Sequence, residues 1–288
     1  MKILIFALSF LSITATAQQA FRYDLEKPDI RHQLPAILNE ISGLTDLDSN
    51  SVACVQDELG TIFIYDFKKG EITSRHTFDI TGDFEGLTFT GKDLFILRSD
   101  GRLTEWKNFL KPKNSYHHSN LPVVTNNNEG LCYDPKYNRI LIAAKSKPNE
   151  KELKSERYIY AYDLSKSQFN PKPVYSINID QLTTKAMDLN FKPIKADNAK
   201  GKKNLINFRP ASLSVHPSTD EIYIISAVDR MLVVMNRKGE ITHIKALPPD
   251  LYAKAEGITF LGDGTMIITN EAAGKTPTLY VFEMTGGK

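Results

Sequence analysis

Asn128-Glu129-Gly130-Leu131-Cys132-Tyr133 runs into the turn Asp134-Pro135-Lys136-Tyr137-Asn138 and then into RILIA (139–143). A short apolar segment, a turn rich in Asp, Pro and Asn, and a β-branched segment together spell a hairpin of two strands. The same order recurs along the chain. Glu85-Gly86-Leu87-Thr88-Phe89 precedes Gly91-Lys92-Asp93 and LFIL (94–97). Ala211-Ser212-Leu213-Ser214-Val215 precedes His216-Pro217-Ser218-Thr219-Asp220 and EIYII (221–225). Glu256-Gly257-Ile258-Thr259-Phe260 precedes Gly262-Asp263-Gly264 and TMII (265–268), and Glu40-Ile41-Ser42-Gly43-Leu44 opens the series. The motif starts are separated by 45, 44, 82 and 45 residues. Motif, turn and following strand keep one phase, so the hairpin is a structural repeat.

Each unit continues with a third strand, at TIFIYDF (61–67), RLTEW (102–106), YIYAYDL (158–164), MLVVM (231–235) and LYVFEM (279–284). An outer fourth follows at ITSRHTF (72–78), VYSINI (174–179) and ITHIKAL (241–247). Four antiparallel strands in a unit of about 45 residues is the pattern of a β-propeller blade. The expected fold is therefore all-β: a five-bladed propeller of four-stranded antiparallel blades, forming one domain over residues 18–288. The interval of 82 reads as one blade with two insertions, a charged loop over 146–156 and a segment over about 181–208. A degenerate sixth blade in that interval is the alternative. The last blade shows only three strands, and the segment around Phe21 to His32 can supply its fourth, which removes an open edge.

Composition agrees with a globular chain: 41% of the 288 residues are hydrophobic and 24% charged, with a formal net charge of +2. That small excess gives no electrostatic reason to bind nucleic acid. Residues 1–17 hold one lysine, an apolar run over 3–13 and the small-residue triplet Ala15-Thr16-Ala17, the pattern of a cleavable export signal. The run is short for a bilayer-spanning helix, so it supports no membrane span. The expected location is the periplasm or the medium, with association to the cell envelope as a variant, and the expected state is a monomer. The two cysteines, Cys54 and Cys132, sit in separate apolar strands and read as buried free thiols.

First strands of propeller blades are innermost, so the repeat sends Glu40, Glu85, Glu129 and Glu256 to one end of a central channel. Converging carboxylates repel and resist ionising together. Three arrangements answer this: a hard divalent cation such as Ca²⁺ shared among the oxygens, a polar ring neutralised by Arg209, or separate glutamates bonded to strand-start amides. The six histidines do not repeat in phase with the glutamates, which argues against zinc. Polar residues at the ends of second strands (Gln56-Asp57-Glu58, Arg98-Ser99-Asp100, Lys145-Ser146, Ser226 to Asp229, Asn270-Glu271) share that face, the expected ligand side. Tyr116-His117-His118 reads as a surface loop, and the lysine-rich stretch 192–203 as a soluble insert. No phosphate-binding Gly-rich loop, Gly-x-Ser-x-Gly elbow or zinc-spaced Cys/His cluster occurs.

At Asp83-Phe84-Glu85-Gly86-Leu87, Asn128-Glu129-Gly130-Leu131, Arg209-Pro210-Ala211-Ser212-Leu213 and Glu256-Gly257-Ile258-Thr259-Phe260 the chain resembles the SdiA-regulated (YjiK/CarP-like) family of exported five-bladed propellers. The resemblance implies a calcium-binding propeller with no established enzymatic activity, often held at the envelope by an N-terminal segment. It carries the metal role onto Glu40, Glu85, Glu129 and Glu256. Two function classes follow. One is a non-catalytic exported binding module whose loop face engages a ligand or envelope partner. The other is a metal-dependent hydrolase of phosphoesters or lactones, with channel Ca²⁺ polarising the substrate.

Overall fold

The computed structural model describes residues 20–123, 125, 127–148, 153–191 and 206–285. They form five four-stranded antiparallel sheets. Blade 1 is β2 (Ile41–Asp46), β3 (Ser51–Gln56), β4 (Leu59–Asp66) and β5 (Glu71–Thr81). Blade 2 is β6 (Phe84–Phe89), β7 (Leu94–Arg98), β8 (Arg102–Lys107) and β9 (Ser115–Asn120). Blade 3 is β10 (Asn128–Asp134), β11 (Arg139–Ala144), β12 (Glu156–Asp163) and β13 (Gln168–Asn178). Blade 4 is β14 (Ser212–Val215), β15 (Ile222–Ser226), β16 (Met231–Met235) and β17 (Ile241–Ala246). Blade 5 is β18 (Ala255–Phe260), β19 (Met266–Asn270) and β20 (Thr278–Phe282), completed by β1 (Ile30–Gln33). Ile30 pairs with Val281 and Gln33 with Thr278, so the N-terminal strand closes the last blade as the sequence predicts.

The inner strands β2, β6, β10, β14 and β18 touch one another in that order and β18 returns to β2, closing a ring. Each junction between blades holds its own apolar core, such as Phe95, Leu131, Ile142 and Tyr160 between blades 2 and 3. The turn after each of the inner strands of blades 2 to 5 contains a left-handed residue, Gly91, Asn138, Asp220 or Gly264. Glycine on the inner strands has a different cause. A Cβ on Gly86 would lie 2.6 Å from Leu131 Cβ and 2.7 Å from the Glu129 carbonyl oxygen, so neighbouring inner strands approach this closely only without one.

Farther along the same strands, side chains tie one blade to the next. The Phe89 amide donates to Thr45 Oγ1 at 3.0 Å, the Tyr133 amide to Thr88 Oγ1 at 2.8 Å, and the Asp46 amide to Thr259 Oγ1 at 3.2 Å. In blade 3 the equivalent position is Cys132, whose sulfur accepts from the Val215 amide. Cys54 and Cys132 are both buried and free, as expected.

Two departures from the sequence reading are local. Tyr116-His117-His118 lies in the exposed outer strand β9, where the His118 ring contacts Thr104 Oγ1 at 2.8 Å; it is not a loop. The 181–208 insertion overlaps a helix, α1 (Ile179–Asp188), capped by the Asn178 side chain and seated through buried Leu182 and Ala186 on the core between blades 3 and 4. The leader over 1–17 and the lysine-rich stretch 192–203 lie outside the described residues.

Candidate functional site

The pairing register explains how the glutamates reach the axis. In β6 the partner of Phe84 is Arg98 and that of Gly86 is Leu97, which leaves Glu85 as the extra residue of a bulge. Glu129 falls between the pairs Asn128 with Ala144 and Gly130 with Ala143, and Glu256 between Ala255 with Asn270 and Gly257 with Thr269. A bulge re-aims the side chain it carries. Three inner strands thus present a glutamate at one level, with Ala211 at the same register in blade 4.

Blade 1 differs. Its irregularity spans Ser42 and Gly43, and Gly43 packs against Gly86 and Leu87 as Gly86 packs against Leu131. The residue in register with Glu85 is therefore Ser42, whose hydroxyl lies 2.8 Å from Glu85 Oε2. Glu40 sits two residues earlier, outside the inner ring. Its carboxyl group meets that of Glu271, and this contact, with burial and Asp57, raises its pKa. The structure brings Glu85, Glu129 and Glu256 together and places Glu40 in a neighbouring acidic cluster with Glu271 and Asp57.

Two lysines neutralise part of this charge. Lys145 Nζ is 2.5 Å from Glu129 Oε1. Burial works against its ammonium, but Glu256, Glu129 and Glu85 together outweigh burial and raise its pKa. Lys254 Nζ is 3.2 Å from Glu256 Oε1 and forms an ion pair with Glu271. Arg209 is exposed, and its backbone amide bonds Ser226 Oγ; the counter-charge at the ring comes from lysine. The sequence does carry signals for both lysines. Lys254 lies two residues before Glu256, just ahead of β18, and Lys145 directly follows β11, the strand paired with β10, its amide bonded to the Asn127 carbonyl.

Burial governs the protonation of the ring. It pushes the Glu85 carboxyl up to about 7, opposed by the Ser42 hydroxyl. Glu129, 1% exposed, is pushed up to about 8 by burial first and by Glu85 second. Burial also raises Glu256, with Lys145 and Lys254 opposing. Asp57, at the end of β3, is raised by burial and by Glu271.

The donor chemistry of the ring suits a hard cation, since carboxylate oxygens are the ligands calcium takes. Glu129 Oε2 and Asp57 Oδ1 are buried without hydrogen-bond partners among the described residues. Lys145 Nζ occupies the other Glu129 oxygen. Among the described residues no three acidic, histidine or cysteine side chains are already gathered at metal-ligating spacing.

The SdiA-regulated family profile matches residues 14–282. The chain belongs to the SdiA-regulated family. Among solved structures, Myxococcus xanthus glutaminyl cyclase is similar at 11% identity, covering 90% of this chain and 96% of that one with a TM-score of 0.57. A luciferin-regenerating enzyme is similar at 10% identity, with 90% and 96% covered and a TM-score of 0.50. At such identities both likenesses concern the fold alone. No curated protein is a match. Membership in the SdiA-regulated family and the five-bladed architecture agree with the resemblance read from the Glu-Gly motifs.

Proposed function

We propose that this member of the SdiA-regulated family is an exported, calcium-responsive binding module of the cell envelope, with the glutamate-bearing face as its ligand side. One observation carries the reading: the carboxylates of half-buried Glu85 and of buried Glu129 and Glu256 act on one another at the hub, with Lys145 on one Glu129 oxygen and no hydrogen-bond partner among the described residues on the other. Converging carboxylates are relieved by protonation or by a divalent cation, and the cation lets them stay ionised. Export is supported by the apolar run and the Ala15-Thr16-Ala17 triplet. No helix among the described residues is long and apolar enough to cross a membrane.

Calorimetric titration of the purified protein with CaCl₂ tests the site. The expected result is saturable binding that weakens by about tenfold or more in Glu129→Gln, a loss of about 1.4 kcal/mol. An identical titration in wild type and variant moves the cation elsewhere.

The hydrolase reading draws on a different observation, that Glu85 and Glu129 protonate near neutrality, as general acids and bases do. A screen of phosphoesters and lactones, with and without calcium, separates the two. Turnover abolished by Glu129→Gln would make the chain an enzyme, and complete inactivity leaves the binding module.

A further inference from the structure

Beside the acidic hub, on the same face, a cavity of about 500 Å³ opens between blades 3 and 4. Its walls carry Lys145, Lys147, Lys154, Arg157 and Arg209, and no carboxylate among the described residues lines it. Lys145 is held by Glu129; the other four cations around the concavity repel one another, and an anion from solution relieves what fixed counter-charges leave.

Fixed counter-charges offset part of this: Glu156 and Asp229 act on Arg157, and Asp229 also on Arg209, without an ion pair to either arginine among the described residues. The Glu156 carboxylate accepts hydrogen bonds from the Ser176 hydroxyl and, at 2.7 Å, from Asn178 Nδ2. Asp229 accepts from the Asn207 amide and from Ser226 Oγ, each at 3.1 Å. Arg157, 5% exposed, is held by neutral partners: its Nε donates to the Phe208 carbonyl at 2.8 Å, and its Nη1 to the carbonyls of Glu156 at 2.8 Å and Lys154 at 3.1 Å. Arg209 stands close enough to act on Arg157 as a like charge. Among the described residues neither arginine forms an ion pair with a carboxylate. With Nε and Nη1 taken by carbonyls, Arg157 keeps Nη2 for an anion, and the exposed Arg209 beside it can offer its planar fork to phosphoryl or carboxylate oxygens.

The start of α1 adds to this field. Ile179 lines the cavity, which puts the positive end of the helix against it. The Asp180 and Gln181 amides are already taken by the Asn178 side chain, so side chains supply the donors.

We infer that this cavity binds a small, multiply charged anion bearing phosphoryl or carboxylate groups, at a site distinct from the glutamate hub and walled from it by Lys145. Its size falls in the range of small-ligand pockets, about 300–1,000 Å³, and its charge calls for a ligand with two or more anionic groups. The assignment does not depend on calcium occupying the hub.

Calorimetric titration of the calcium-free protein with pyrophosphate and with citrate, at constant ionic strength, tests it. Saturable binding of one anion per chain is expected for at least one of the two. The preferred anion tells phosphoryl from carboxylate recognition. The exposed pair Lys147→Gln/Arg209→Gln should weaken binding by about tenfold or more, equivalent to about 1.4 kcal/mol, with an unchanged melting temperature. Absence of saturable binding to both anions overturns the inference, as does equal affinity in the double variant. Binding confined to phosphatidylglycerol vesicles would overturn the small-ligand assignment.

Discussion

Glu129 is the residue on which the acidic hub turns. It is buried, it meets Lys145 through one oxygen and has no hydrogen-bond partner among the described residues at the other, and burial together with Glu85 lifts its carboxyl to about 8. An unfolded glutamate ionises near 4.5, so the unfolded chain releases this proton well before the folded one. Stability from Glu85 and Glu129 is complete below about pH 4.5, falls as pH rises through their folded values, and levels off above them. His216 moves the other way. Burial lowers it to about 4, so its effect is felt only below about pH 6.5. Between pH 6.5 and 8.5, without divalent cation, the melting temperature of wild type should fall, and in Glu85→Gln/Glu129→Gln the fall should be much smaller. Thermal melts across that window check this, and parallel curves would mean that the two carboxyls are not held protonated. At this scale the sequence was legible in part. The repeat exposed the glutamates and put Lys145 on their face, but its pairing with Glu129 was not legible, because the direction of its side chain depends on the β10 and β11 register.

At the scale of the strand, the Glu-Gly pair is one device with two halves. The bulge turns the glutamate to the axis, and the glycine lets the next inner strand approach. Gly86→Ala should therefore destabilise the fold by about 1–3 kcal/mol, the usual range for overpacking, since the added carbon would meet Leu131 Cβ and a backbone oxygen. Gly262→Ala, where an added carbon meets nothing within 4 Å, should stay within about 0.5 kcal/mol. Chemical denaturation of both variants decides the matter, and equal losses would show that the inner-strand glycine is not set by packing. The hairpins were readable because alternation and turn chemistry are local. The Glu40 position was misplaced by two residues because Glu40-Ile41-Ser42-Gly43 keeps the glycine in phase and hides Ser42 in the glutamate's register. Helix α1 escaped notice because its apolar face is short: Leu182 and Ala186, one helical turn apart, are its buried residues.

For the whole molecule, closure was legible and charge distribution was not. Five repeats and a missing outer strand predict a ring sealed by the N-terminal segment, and β1 on β20 seals it. The polarity of the loop face arises only when distant segments meet. Glu40, Asp57 and Glu271 adjoin the hub on the side of blades 5 and 1, whereas Lys147, Lys154, Arg157 and Arg209 surround the cavity between blades 3 and 4. In the linear sequence these charges are dispersed and nearly cancel. The central claim is that the acidic half holds excess negative charge that a divalent cation relieves, with the energy appearing as stability of the folded ring. The direct measurement is the melting temperature of the wild-type protein at pH 8 in CaCl₂ and in EGTA. Calcium should raise it by several degrees and the chelator should reverse the gain, whereas a melting temperature indifferent to both would contradict the account.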